Sequence, residues 1–192
     1  MPLQAPYAAS KWALRAFYDS LRMELAQEGG SIAVSTILPA SIDTPLFEHA
    51  RSKLGAMPKP PPPVYAPEIV ADAIVHTAAH PRREVLVGDA AIRFVAAQYL
   101  SPAVADAVLS IPLVGASKAD RADNATDNLD APMEGSGQVR GSYSALTLRY
   151  SPLTELLKHV PRPGEVLTSA ISALQHARPK AGSGRNAEVD RG

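Results

Sequence analysis

The sequence predicts an α/β protein built around parallel strands. Three observations carry the prediction: a long helix-forming stretch free of Pro and Gly, a β-branched strand directly after it, and a second helix-then-strand pair further along. A helix that runs straight into a buried strand is half of a parallel α/β unit.

Residues 7–27 open the chain as a helix rich in Ala, Leu, Arg and Glu, and Gly29-Gly30 stops it. Tyr7, Lys11, Leu14, Tyr18, Leu21 and Leu25 form one stripe, and Ala9, Ala13, Ala16, Phe17 and Ser20 form a second of mostly small residues. Two such stripes predict packing on both sides, by a sheet and by another helix or subunit, so a homo-oligomer through helix 7–27 is expected of the complete protein.

Residues 31–38 (SIAVSTIL) read as a buried strand ended by Pro39. Residues 39–45 (PASIDTP) then form a loop beyond the carboxyl end of that strand, where open α/β sheets bind ligands. A short helix is expected over 47–54, and the MPKPPPP run at 57–63 is expected to be an extended, stiff connector. Pro67 then sits in the first turn of a helix that reaches Ala79, and EVLV at 84–87 is a second short strand ended by Gly88.

Residues 90–113 are apolar but broken by Arg93, Gln98, Pro102, Asp106 and Pro112, so they read as an amphipathic helical pair. Residues 115–145 hold few large apolar side chains and are expected to be disordered, because little buried surface offsets their ordering entropy. Short helices are expected at 150–159 and 163–177, with a free tail after them. The division is therefore a packed part over 1–114 and a low-complexity tail with short helices over 115–192.

Composition narrows the function classes. Lys+Arg 19 against Asp+Glu 19 gives no electrostatic case for nucleic acid, and a small neutral substrate or a protein partner fits better. The absence of cysteine excludes thiolate catalysis and disulfides and is compatible with a cytoplasmic location. No apolar run reaches membrane-spanning length, no secretory signal opens the chain, and no metal-ligand cluster groups the five histidines.

The chemistry-bearing pair is Tyr7 and Lys11. Four residues apart on a helix, they lie one turn from each other on the same face. A cation beside a phenol stabilises its phenolate, which makes the pair a tunable proton donor.

With these pieces in order, YAASK followed by WALRAFYDSLRMEL, the strand AVSTILP and the SIDTP loop, the chain resembles the short-chain dehydrogenase/reductase family. APEIVADAIVHTAAHPRREVLVG looks like that family's next helix and last sheet strand. The resemblance covers about residues 3–90 and implies the C-terminal half of a doubly wound parallel Rossmann-type sheet. It implies NAD or NADP as cofactor and a small carbonyl or alcohol as substrate. Tyr7 would be the general acid in reduction and the base in oxidation. Lys11 would assist it and hold the nicotinamide ribose hydroxyls. The loop opened by Pro39 would meet the carboxamide through the Ile42 backbone and the Thr44 hydroxyl.

Two departures stand out. Ala40 replaces the glycine that usually follows the strand's proline in the family. The glycine-rich dinucleotide turn, the residue that sorts NAD from NADP, and the asparagine and serine that the family places before the tyrosine are not among these 192 residues. The expectation is therefore a truncated piece of a reductase, inactive by itself. The alternative is a non-catalytic interaction or dimerisation protein derived from that fold.

Overall fold

A computed structural model describes residues 4–29, 31–53, 56–107, 127–133, 137–143 and 147–160. They belong almost wholly to one compact unit, Met1–Lys158, and only His159 and Val160 of the second unit, His159–Gly192, are among them. The helix expected at 163–177 and the tail after it lie outside the described residues, as does most of 115–145.

The expected first helix is present as α1, Ala5–Gln27, closed by Gly29 at φ 69°. The strand after it, β1, is Thr36–Pro39, shorter than the expected 31–38 and shifted toward its carboxyl end. The reason is pairing. β1 runs parallel to β4, Glu84–Val87, in the register Thr36↔Glu84 to Pro39↔Val87, so residues 31–35 face no ladder partner there. Their polar groups are met otherwise: Arg22 donates to the Val34 carbonyl at 2.7 Å, and the Arg82 amide to Ser35 Oγ at 3.3 Å.

Helix α3, Pro67–Ala79, covers this strand pair with Ala73 and Thr77 buried. Ala73, Val85 and Val87 form a core to which Ile37, Ile69 and Val70 add partly buried surface. The period of α3 and the alternation of β4 both point toward this core, which is why the second helix-then-strand pair was readable.

A second parallel sheet joins very short strands: β2 (Ser41–Ile42), β3 (Val64–Tyr65) and β5 (Thr147–Leu148), in the order β2-β3-β5. The segment expected as a plain loop after Pro39 thus contains a strand. Met57, Val64, Tyr65 and Ala66 are buried around it. The Pro62–Pro63 peptide is cis.

The remaining helices are α2 (Leu46–His49), α4 (Asp89–Leu100) and α5 (Pro152–His159), and residues 102–107 are helical too. Helix α4 stands where the first half of the amphipathic pair was expected. Residues 127–133 and 137–143, inside the stretch expected to be disordered, make specific bonds. Arg51 pairs with Asp127 at 2.6 Å and also with Asp130, and Arg140 pairs with Glu68 at 2.7 Å. The architecture is α/β with parallel strands, Rossmann-like in kind. Among the described residues no helix is long and apolar enough to cross a membrane.

Candidate active site

Helix α1 has no buried residue and attaches to the sheet through arginines. Arg22 donates to the carbonyls of Val34 and Arg83 (2.9 Å) and to Thr36 Oγ1 (2.6 Å), and pairs with Asp19. Arg15 bonds Glu84 at 2.7 Å. These anchors hold the helix at the amino ends of β1 and β4.

Tyr7 and Lys11 lie together on α1, with Lys11 Nζ 5.3 Å from the centroid of the Tyr7 ring. That is cation–π distance, so the ammonium rests over the ring face. Tyr7 is half exposed, and its carbonyl accepts a 2.7 Å bond from Ser10 Oγ. Among the described residues neither the Tyr7 hydroxyl nor Lys11 Nζ has a hydrogen-bond partner, which leaves both polar groups available to a ligand.

Pro39, Ile42 and Thr44 come together at the carboxyl end of β1. Pro39 is the last residue of β1, and the next amide, Ala40, donates to the Val87 carbonyl at 2.8 Å. The departure at Ala40 has a structural counterpart. Its Cβ lies 2.9 Å from where a Cβ on Gly88 would sit, and Gly88 holds φ +94° against the Tyr65 ring. Small residues therefore stand side by side at both positions, Ala40 after β1 and Gly88 after β4. Ile42 pairs with Tyr65 in the second sheet, and the Thr44 amide donates to the Ile42 carbonyl at 3.0 Å. The Thr44 hydroxyl has no hydrogen-bond partner among the described residues.

The two groups of candidate residues are not joined by a hydrogen bond among the described residues. They share the Arg22 anchor. Tyr7 is roughly 22 Å of helical rise from Arg22, and the chain from Thr36 to Thr44 can span up to about 26 Å when extended.

Sequence reasoning named the SIDTP loop but gave Asp43 no role. The side chain is completely buried. Its carboxylate accepts the Tyr143 amide and Thr147 Oγ1, both at 3.2 Å. The one available signal was an acid set in a loop of apolar and hydroxyl residues, since an unpaired buried carboxylate is costly and must have partners. Those partners lie about a hundred positions away and carry no local pattern.

Shifted titrations are found at Asp127, Glu68 and Arg51. The Asp127 carboxyl is held below its usual range by hydrogen bonds from Arg51 and then from the Leu129 amide. Glu68 is held low by a backbone amide at the start of α3 and then by Arg140. Arg51 is raised by Asp127 and Asp130.

The family model for short chain dehydrogenase matches residues 1–55, the stretch that carries Tyr7, Lys11 and the Pro39–Thr44 segment. Over 123 residues the chain is 36% identical to the uncharacterized oxidoreductase YxnA of Bacillus subtilis (strain 168), a match covering 64% of this chain and 35% of that protein. Over 52 residues it is 50% identical to the uncharacterized oxidoreductase Lin0452 of Listeria innocua and equally to Lmo0432 of Listeria monocytogenes, covering 27% of this chain and 21% of each. No solved structure matches. The similarity to short chain dehydrogenases is carried by residues 1–55, and the oxidoreductase relatives are covered only in part. The chain spans about a third of the length of the Bacillus relative and about a fifth of the Listeria ones.

Proposed function

We propose that the protein is an NAD- or NADP-dependent oxidoreductase acting on a small carbonyl or alcohol in the cytoplasm, with Tyr7 as its proton carrier. The observation that carries this reading is the Tyr7–Lys11 pair, 5.3 Å from Nζ to ring centroid, on the helix that leads into β1. When bound, the nicotinamide supplies or accepts the hydride.

The chain's own residues do the rest. Tyr7 gives its hydroxyl proton to the carbonyl oxygen in reduction and takes it back as phenolate in oxidation. Lys11, with three N–H donors and no other hydrogen-bond partner among the described residues, stabilises the phenolate and binds the ribose hydroxyls. Pro39 ends the strand, and the Ile42 backbone and Thr44 hydroxyl hold the carboxamide. The three unpartnered groups, the Tyr7 hydroxyl, Lys11 Nζ and the Thr44 hydroxyl, fit the nicotinamide end of such a cofactor. Residues 1–192 contain no glycine-rich turn for its pyrophosphate. On this reading they are the C-terminal half of a doubly wound sheet and are inactive alone.

The test is the chain completed with a glycine-rich dinucleotide-binding half. Tyr7→Phe is expected to lower turnover by about a hundredfold or more, as loss of a positioned acid does. Cofactor affinity should hardly change, and near-normal turnover would rule the assignment out.

A second reading, a non-catalytic interaction or dimerisation helix, is favoured by one observation. Trp12, Phe17 and Met23 on α1 are each at least 60% exposed. An absent fluorescence response to NADH and NADPH by the completed protein, with self-association intact, would select it.

A further inference from the structure

We propose that Asp43 is a positioning residue for the carboxamide-binding loop, and that it acts by clamping Gly141, Tyr143 and Thr147 across that loop. The inference rests on the proposed function, because Ile42 and Thr44, its chain neighbours, are the residues assigned to the carboxamide there.

Every polar group of Asp43 is committed. Its amide donates to the Tyr65 carbonyl at 2.9 Å and its carbonyl accepts the Gly141 amide at 3.4 Å. The carboxylate oxygens divide between the Tyr143 amide and the Thr147 hydroxyl. The same Thr147 hydroxyl also donates toward the Tyr143 carbonyl at 3.0 Å, so its one proton is shared between that carbonyl and the Asp43 carboxylate. Asp43 therefore ties the loop to β3 through its backbone and to the distant segment through its side chain.

Close approach supports the same assignment. A Cβ added to Gly141 would sit 2.7 Å from the Thr44 carbonyl oxygen and 3.1 Å from Asp43 Oδ1. Backbone thus lies directly against the backbone of Thr44. Further contacts hold the distant segment from outside. Ser142 bonds Glu48 Oε1 through its amide (2.9 Å) and hydroxyl (2.7 Å), and the Tyr143 hydroxyl donates to the Pro58 carbonyl at 3.0 Å. None of those reaches residues 42–44. The residues that Asp43 clamps, Gly141, Tyr143 and Thr147, lie beyond the part matched by the family model, which ends at residue 55.

The proton count explains why the residue is an acid. Both partners of the carboxylate are donors, and a carboxylate offers two accepting oxygens. Asn would turn an amide N–H₂ toward one of those donors and lose a bond while leaving a buried group unpaired.

The experiment uses residues 1–192 and nicotinamide mononucleotide, which presents the ring and one ribose without a pyrophosphate, with binding followed by saturation-transfer NMR. Asp43→Asn and Thr147→Val should each weaken binding about three- to tenfold, the share of one ordinary hydrogen bond. Thr147→Ser, which keeps the hydroxyl, should restore it to within about twofold of the parent. Arg51→Ala frees the 127–130 piece without touching Asp43 and should leave binding unchanged. Unaltered binding in Thr147→Val, or an equal loss in Arg51→Ala, would overturn the inference, the latter because general loosening would then explain the effect. Absence of binding by the parent chain would count against the proposed function instead. In that event amide exchange at Ile42, Asp43 and Thr44 decides: selective acceleration in Thr147→Val, reversed in Thr147→Ser, supports the clamp, and no change overturns it.

Discussion

Helix α1 and the carboxyl end of the sheet treat their surfaces in opposite ways. The 23 residues of α1 bury none of themselves, and the helix is held by polar contacts of Arg15, Asp19 and Arg22. Around β3, Met57, Val64, Tyr65 and Ala66 are all at most 8% exposed, and glycines allow backbone to meet backbone. The first region is fixed by directional polar bonds at one end and leaves its apolar side open. The second is fixed by packing on all sides. The proposed site, with Tyr7 on the open helix and Thr44 beside the packed loop, would therefore depend on two different kinds of force. Substitutions should separate them.

The largest effect is expected at the packed end. Gly88→Ala would place a Cβ 2.9 Å from Ala40 Cβ and 3.1 Å from the Tyr65 ring, at φ +94°, where L side chains are strained. A left-handed conformation costs about 1–2 kcal/mol, and overpacking adds about 1–3 kcal/mol. Urea unfolding should show a loss of roughly 2–5 kcal/mol from the two together. A loss under about 0.5 kcal/mol, ordinary for an exposed position, would mean that this end is as yielding as α1.

Next comes the polar anchor. Arg22→Met keeps the aliphatic stem but strips the donors from the Val34 and Arg83 carbonyls and Thr36 Oγ1. The side chain is only 14% exposed, so these acceptors are partly shielded from water. The expected cost is about 1–3 kcal/mol, with faster amide exchange in α1 and at Thr36 but not at Tyr65. Equal acceleration at both places would erase the distinction between the regions.

The same contrast decides what was readable from the residues. α1, α3 and β4 carry periodicity over many positions or a β-branched run with clear stops, so their existence could be argued locally. The pair Tyr7–Lys11 was legible because four residues on a helix is a local spacing. The β2-β3-β5 sheet was not, because two-residue strands have no period and Thr147 pairs with Val64 across more than eighty positions. Asp43, Gly88 and Gly141 stayed silent for a related reason. Their roles are set by what approaches them, and a glycine that excludes a Cβ looks the same in sequence as one in a loose turn.

The smallest effect should be on α1's open side, and it carries the most about function. Trp12 and Phe17 are 66% and 60% exposed, so replacing both with Ser removes little packing from the chain itself. In dilute solution the double variant should unfold within about 0.5 kcal/mol of the parent. If this side is where a second copy binds, the same pair would act as interface anchors, and truncating one aromatic hot spot costs at least about 2 kcal/mol. Sedimentation equilibrium would then show association weakened by roughly thirtyfold or more at unchanged monomer stability. Unchanged association would remove α1 from the interface. A destabilised monomer would show instead that Trp12 or Phe17 packs within the chain, and the open helix would have to join the packed region after all.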